Sequence, residues 1–188
     1  NSPLFDVEEA FRLFGECGVE VISLGGECKE VNIYADGREP QLAAEAVGRG
    51  REEYLRREIV DMPSEGEFAA EEYGWLIIPD VALQKARVAI AALLRSASIW
   101  SNNGYAFATE LTEEPIPGRV YAIESIDRYR PKELKRQLKG VGVELLKRDT
   151  SLAVEAVRRQ LGLRAGSERL LALTTIDGEN WIIALKSI

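Results

Sequence analysis

The sequence predicts an α+β protein. Its C-terminal part is expected to be a sandwich of two helices on one face of a sheet, preceded by a helix and a β-hairpin. The last third of the chain alternates strand and helix patterns in the order β-α-β-α-β-β. Near the start, two short apolar segments flank a Gly-Gly turn. Hydrophobic residues make up 46% of the 188-residue chain, which is enough for a buried core.

The first predicted element is an amphipathic helix. Asp6 is placed to cap it, and Glu9 follows three residues later, as in a capping box. The residues predicted to share its apolar face are Val7, Ala10, Phe11 and Phe14.

A β-hairpin is predicted next, with strands at Val19–Ser23 and Glu30–Tyr34. Gly25 and Gly26 lie between the strands, where a tight turn is needed. We interpret this pair as a turn and not as a cofactor-binding loop, because a strand follows it and not a helix.

Residues 37–72 are predicted to be an acidic connector, since glycines and prolines interrupt the pattern there. Within it we expect a short helix near Leu42–Ala46 and a strand at Glu58–Met62. An apolar strand at Trp75–Pro79 follows, and Asp80 is expected to cap a helix that runs to about Ala97.

The last third is the most regular part of the sequence. Ser151 is predicted to cap the second helix there. The predicted elements are a strand at Arg119–Ile126, a helix at Pro131–Lys139, a strand at Gly142–Lys147, a helix at Ser151–Leu161, and a hairpin of Leu170–Ile176 and Trp181–Leu185 around Asp177-Gly178.

Composition limits the possible functions. The chain has no histidine, which excludes sites that depend on His. Two cysteines, Cys17 and Cys28, are too few for a disulfide framework. No apolar run is long enough to span a membrane, so we expect a cytoplasmic protein with no membrane partner. The chain begins with Asn1, and we expect it to be a fragment of a longer protein.

The charge is distributed unevenly along the chain. The net charge is −7, yet residues 127–170 carry 12 basic and 6 acidic side chains. A partner meets the local field of this region and not the average. Within it, Lys132, Lys135, Arg136 and Lys139 have the i, i+3, i+4, i+7 spacing that places them on one face of a helix.

Several segments, taken in order, carry a resemblance to a known family. They are Val19–Tyr34, Trp75–Ala86, Pro117–Glu124, Arg130–Leu138 and Lys147–Leu163. Together they resemble the C-terminal region of bacterial class I S-adenosylmethionine-dependent methyltransferases, in which a hairpin closes the Rossmann-like sheet and a THUMP-like domain follows. This chain departs from the family at Ile78 and Val81, where we expect a Glu and a small residue.

The resemblance implies three regions. Residues 1–36 would be the closing helix and hairpin of the catalytic domain, 37–72 the connector, and 73–188 the THUMP-like domain. The parent protein would use S-adenosylmethionine, whereas this chain lacks the cofactor-binding core and would be inactive alone. We therefore predict no catalytic, cofactor-binding or metal-ligating residue here.

The same resemblance implies a module that positions an RNA substrate. The candidate RNA-binding residues are Lys132, Lys135, Arg136, Lys139, Lys147, Arg148, Arg158 and Arg159, on two helices that would lie side by side. Two alternatives stay open: an ordinary solvated helix face, and a structural or protein-interaction domain that binds no nucleic acid. Tyr129 either stacks on a base or is half-buried, and the three tryptophans are expected in the core.

A hairpin of two strands is marginal in water. We therefore expect residues 1–36 either to pack on the THUMP-like domain or to form a homodimer through the hairpin.

Overall fold

The structure is a computed structural model that describes residues 4–37, 41–48, 50–55, 66–93, 97–113 and 116–187. Its elements are α1 (Val7–Phe14), β1 (Gly18–Leu24), β2 (Glu27–Tyr34), β3 (Gln41–Val47), β4 (Gly50–Leu55), a 3-10 turn (Ala70–Glu72), β5 (Trp75–Pro79), α2 (Val81–Lys85), α3 (Ala89–Leu93), β6 (Ser98–Ile99), β7 (Ala106–Ala108), β8 (Gly118–Arg128), α4 (Pro131–Leu138), β9 (Gly142–Lys147), α5 (Val154–Leu161), β10 (Arg164–Ala165), β11 (Arg169–Ile176) and β12 (Glu179–Ser187). The strand predicted at Glu58–Met62 lies outside the described residues.

The described strands form two sheets. The first has the order β2-β1-β3-β4, and the second has the order β10-β9-β11-β12-β8-β5-β7-β6. From β8 onward the chain runs β-α-β-α-β-β, with the short β10 added before the last hairpin. The predicted α+β fold class is confirmed.

The first helix and hairpin form as their sequence predicts. The Asp6 carboxylate accepts hydrogen bonds from the backbone N–H of Glu8 at 2.8 Å and of Glu9 at 3.3 Å. Gly25 and Gly26 have φ values of 63° and 83°, and positive φ at both central residues is the requirement of a type I′ hairpin turn. Phe14 departs from the predicted apolar face, since it is 50% exposed at the end of α1.

The helix predicted near Leu42–Ala46 is wrong, because this segment is strand β3. It pairs in parallel with β1 and antiparallel with β4. Leu42 and Ala44 are buried in the core beside β1. Alanine favours a helix in isolation, and this tertiary pairing overrides that preference. The first part of the predicted connector therefore belongs to the first sheet.

The single helix predicted from Asp80 to Ala97 is also wrong, because it is broken after α2. Asp80 does cap α2, and its carboxylate accepts from the N–H of Ala82 at 2.9 Å. Arg87 then adopts φ 60°, a left-handed conformation that cannot continue a helix. Its guanidinium lies 3.9 Å from Asp6 and 3.7 Å from Glu8, beside the start of α1.

One core joins the first sheet to the helices that precede β6. It contains Phe11 of α1, Val21 of β1 and Val31 of β2, packed with Leu83 of α2 and Ile90 of α3. Residues 7–34 therefore pack on the rest of the chain, which was one of the two arrangements predicted for them. The homodimer stays a prediction.

The second sheet is covered on both faces. On one face, α4 and α5 bury Leu134, Val157 and Leu161 against the sheet. On the other face, an aromatic cluster packs with ring centroids 5.0 to 6.1 Å apart. Its members are Phe68, Tyr73, Trp100, Phe107 and Trp181. Trp75 packs against the first core, so the three tryptophans contact core residues as predicted.

The long strand β8 joins the two halves of the second sheet. Its first part, Gly118–Ala122, pairs with β5, and its second part, Tyr121–Arg128, pairs with β12. At Gly118 the two backbones approach closely, because a Cβ there would lie 2.4 Å from the carbonyl oxygen of Ile78. Only glycine allows this approach without a shift of the backbone.

Candidate nucleic-acid interface

Helix α4 presents its basic residues to solvent because its apolar residues face the sheet. Pro131 occupies the first turn, where its missing N–H is tolerated. Leu134 is buried and Leu138 is partly buried in the core below the helix. Lys132, Lys135, Arg136 and Lys139 are all exposed. These four predicted residues therefore share the outer face of α4.

Helix α5 lies beside α4, as the extended basic surface requires. The backbone N–H of Gly140, just after α4, donates to the carbonyl of Gly162, just after α5, at 2.8 Å. Arg159 is exposed, and Arg158 is half-buried and donates to the backbone carbonyl of Arg164 at 3.1 Å. The prediction that Ser151 caps α5 is wrong, since the helix begins after Ala153 without a side-chain cap.

Lys147 completes this group and is exposed at the C-terminal end of β9. It pairs in register with Leu173, whose side chain lies in the core under the two helices, so Lys147 is on the same side of the sheet. We call the group the basic helix surface: Lys132, Lys135, Arg136, Lys139, Lys147, Arg158 and Arg159. Within the part of the chain that the structure describes, no carboxylate lies within ion-pair distance of its members. The nearby acid Glu133 lies 3.7 Å from Arg130 instead.

Arg148 lies apart from this surface, and its predicted RNA contact stays a prediction. Successive side chains of a strand point to opposite faces, so Arg148 lies opposite Lys147. Its side chain turns toward the face of the aromatic cluster and lines a cavity together with Arg119. Burial, together with the neighbouring Arg119 charge, lowers the pKa of the Arg148 guanidinium.

This cavity, which we call the arginine cleft, has a volume of about 150 Å³. The hairpin turn Gly25-Gly26 forms one wall, Ile78–Val81 another, and Arg119 and Arg148 the rest. The loop after β9 is held near it by a hydrogen bond from the Ser101 hydroxyl to the Asp149 carboxylate at 2.5 Å. The cleft therefore combines residues that are far apart in the sequence.

Tyr129 is half-buried, which was one of the two alternatives for it. Its hydroxyl donates to the Oε1 atom of Gln160 on α5 at 2.9 Å, and its ring packs in the core below the helices. Burial raises the pKa of this hydroxyl. Tyr129 therefore helps to position α5, and its ring is not free to stack fully on a base.

The described residues do not fit an S-adenosylmethionine site. Such a site needs a strand, a Gly-rich turn and a helix in succession. The described junctions from strand to helix are β5 to α2, β8 to α4 and β9 to α5, and none contains a glycine. Gly25-Gly26 joins two antiparallel strands instead.

Across the described ranges, no group of three His, Cys, Asp or Glu side chains is arranged to hold a metal ion. In the same ranges, no helix combines the length and apolar character needed to cross a membrane. Cys17 is buried and Cys28 half-buried, and burial raises the pKa of the Cys28 thiol.

Sequence reasoning missed Arg119 and Tyr105, which lie near Arg148 in space. The strict alternation of Leu146, Lys147 and Arg148 was a usable signal, because it separates Arg148 from Lys147. No sequence signal pairs Arg148 with Arg119, since their meeting depends on how the second sheet twists.

Comparison with known proteins supports this description. Residues 118–187 match the family described as THUMP domain-like. A crystal structure described as a putative methyltransferase from Porphyromonas gingivalis W83 has the same fold, with a TM-score of 0.74 and 19% sequence identity. The match covers 99% of this chain and 49% of that one, so this chain spans about half of the other protein's length. No curated protein matches the chain.

Residues 118–187 thus match a THUMP-like domain, and the chain shares its fold with about half of the Porphyromonas gingivalis protein. The THUMP-like segment contains the whole basic helix surface.

Proposed function

We propose that this chain is the substrate-positioning part of a bacterial S-adenosylmethionine-dependent methyltransferase that acts on RNA. In this proposal the parent protein binds the cofactor and transfers the methyl group in the cytoplasm, while this chain holds RNA and is inactive alone. Residues 1–36 complete the catalytic domain, and residues 73–188 form the RNA-contacting domain, with residues 37–72 between them.

The observation that carries the proposal is the basic helix surface within the THUMP-like segment. THUMP domains are generally RNA-binding. Exposed cations that lie outside ion-pair distance of carboxylates can neutralise phosphates of RNA. The counterions condensed around the RNA are then released, and this release drives binding. The outer face of α4 supplies four such cations within one short helix.

The proposed contact is to the RNA backbone and not to the bases. Lysine and arginine side chains on a convex helix face reach phosphates, and such contacts carry no sequence information. We therefore expect weak, salt-sensitive binding without sequence preference. This behaviour suits a module that positions RNA while another domain selects the methylated atom.

The test is a comparison of two double charge reversals. Lys135→Glu with Arg136→Glu changes the basic helix surface, and Arg12→Glu with Lys29→Glu makes the same charge change on the first sheet and helix. Binding of a short single-stranded RNA is followed by fluorescence anisotropy. The first variant should lose binding and the second should retain it. Unchanged binding in the first variant would show that the patch assignment is wrong.

A second candidate is a structural or protein-interaction domain without a nucleic-acid role. The observation that favours it is the acidic character of residues 1–126, which carry 11 basic and 23 acidic side chains. Such a surface repels nucleic acid. If neither the wild-type chain nor its variants bind RNA at low salt, this second function replaces the first.

A further inference from the structure

The arginine cleft contains positive charge that no carboxylate neutralises directly. Arg148 is half-buried, and the nearest cation, Arg119, has the same sign. In the described part of the chain, neither guanidinium has a carboxylate within ion-pair distance. Partly buried charges are normally paired, since removing them from water is costly. This arrangement therefore has the electrostatics of a site that receives an anion.

A second, independent observation is the hydroxyl of Tyr105. Tyr105 is 2% exposed, and its hydroxyl is buried without a hydrogen-bond partner among the described residues. The charges that act on the pKa of this hydroxyl include those of Arg148 and, more weakly, Arg119. A buried donor left unpaired is rare in proteins and calls for an explanation. Tyr105 does not itself line the cleft, so its hydroxyl supports the site only through its proximity to Arg148.

Asp80, the acidic residue that lines the cleft, forms no ion pair with Arg119 or Arg148. Asp80 is buried, and its Oδ1 atom accepts hydrogen bonds from the Ser23 hydroxyl and the Ala82 N–H. It therefore serves to cap α2 and to tie the first sheet to the second. With Asp80 counted, the lining of the cleft still carries one net positive charge.

The size of the cleft fits a small anion. A cavity holds one water when about 10–15 Å³ is accessible, and this cleft offers about 150 Å³. The turn Gly25-Gly26 contributes only backbone to its wall of the cleft. The guanidinium fork matches the geometry of phosphate oxygens with two parallel hydrogen bonds.

We propose that the arginine cleft binds a phosphate group, held by Arg119 and Arg148. The phosphate belongs either to a small phosphorylated molecule or to an RNA backbone. This inference goes beyond the proposed function, because it concerns residues outside the basic helix surface and holds whether or not that surface binds RNA.

The experiment uses the full chain and titrates inorganic phosphate, adenosine monophosphate and a short single-stranded RNA by calorimetry and thermal shift. Sodium chloride at equal ionic strength is the control for screening. Phosphate or the mononucleotide should raise the melting temperature beyond chloride, because a ligand that binds only the folded state stabilises it. Arg148→Gln and Arg119→Gln should each weaken binding about tenfold or more.

A matched control and the RNA arm complete the test. Arg12→Gln removes the same charge from α1, outside both basic regions, and should leave phosphate affinity unchanged. Arg119 is exposed, so its variant folds even if the Arg148 variant does not. Competition between phosphate and RNA identifies an RNA backbone as the source, and tight binding of the mononucleotide without competition identifies a small molecule.

Two outcomes would overturn the proposal. One is a thermal shift that chloride reproduces at the same ionic strength. The other is a phosphate affinity that Arg119→Gln and Arg12→Gln reduce equally. Neither outcome bears on RNA binding by the basic helix surface, which the Lys135 and Arg136 reversals test separately.

Discussion

The basic helix surface and the arginine cleft both concentrate positive charge, but they are built in different ways. The four α4 members of the surface come from one helix of eight residues and its C-cap, and all of them are exposed. The cleft brings together Arg119, Arg148 and a hairpin turn near the start of the chain. One is a local property of a helix, and the other is a property of the whole fold.

This difference determines what each region does well. Exposed, flexible cations bind a phosphate backbone through charge, and salt weakens that binding strongly. The half-buried guanidinium of Arg148 is screened less, so the cleft favours one anion in one geometry. The comparison predicts that substitutions in the two regions have separable effects on stability, salt dependence and ligand choice.

The largest expected effect concerns the backbone that supports the cleft. Gly118→Ala should lower the free energy of unfolding by about 3 kcal/mol, because the added Cβ would lie 2.4 Å from the Ile78 carbonyl oxygen. Chemical denaturation measures this change. The matched control is Gly74→Ala, whose Cβ would lie 3.4 Å from the Thr109 carbonyl oxygen and should cost about 0.5 kcal/mol or less. Equal costs at the two positions would contradict the close approach of β8 and β5.

The second prediction separates the two basic regions by salt. Lys135→Gln with Arg136→Gln should reduce the slope of log affinity for single-stranded RNA against log salt by about 1.4, if each cation contacts one phosphate. Anisotropy titrations at several salt concentrations measure the slope. Arg12→Gln with Lys29→Gln serves as the control and should not change it.

The same measurement applied to Arg119→Gln with Arg148→Gln sharpens the comparison. A smaller slope in this variant indicates that RNA occupies both regions, and an unchanged slope indicates that they bind different ligands. A slope that the Lys135 and Arg136 variant leaves unchanged would exclude the basic helix surface as the RNA contact.

A smaller effect is expected at the unpaired hydroxyl. Tyr105→Phe should raise the free energy of unfolding of the ligand-free protein by about 1 kcal/mol, because it removes a buried donor without a partner. Tyr129→Phe is the control and should lower the free energy of unfolding, since it removes a hydroxyl that donates to Gln160 at 2.9 Å. Thermal or chemical denaturation measures both. A loss of stability in Tyr105→Phe would mean that the hydroxyl is already satisfied without a ligand.

The last prediction is that S-adenosylmethionine does not bind to this chain. Titration with S-adenosylmethionine should release no binding heat, since no described junction from strand to helix contains the glycine turn that the cofactor needs. Calorimetry at micromolar protein concentration tests this expectation. Stoichiometric binding with micromolar affinity would show that a cofactor site exists in this chain.

The sequence predicted the features that depend on residues close together in the chain. The four cations of α4 were found because helical spacing alone places them on one face. The hairpin at Gly25-Gly26 was found because two glycines between short apolar strands favour the positive φ values of a tight hairpin turn. In both cases the decisive interaction spans only a few residues.

The sequence failed where distant segments decide the outcome. The segment at Leu42–Ala46 favours a helix by composition, and only its place beside β1 makes it a strand. Arg148 was grouped with the helix cations because it is near them in the sequence, although it lines the arginine cleft. The sequence gives no sign that Arg119 lies beside it, because β9 and β8 are separated in the second sheet by β11 and β12.

The pairing of β8 has a consequence for anyone who wishes to isolate the THUMP-like segment. Residues 118–187 match the family, yet Gly118 to Val120 have their described strand partners in β5, which lies outside that segment. A protein trimmed to the family boundaries would expose an open strand edge and the aromatic rings that Phe68 and Phe107 now cover. Copies of such a fragment would associate through that edge, so an isolated domain that stays folded and monomeric has to begin before Phe68.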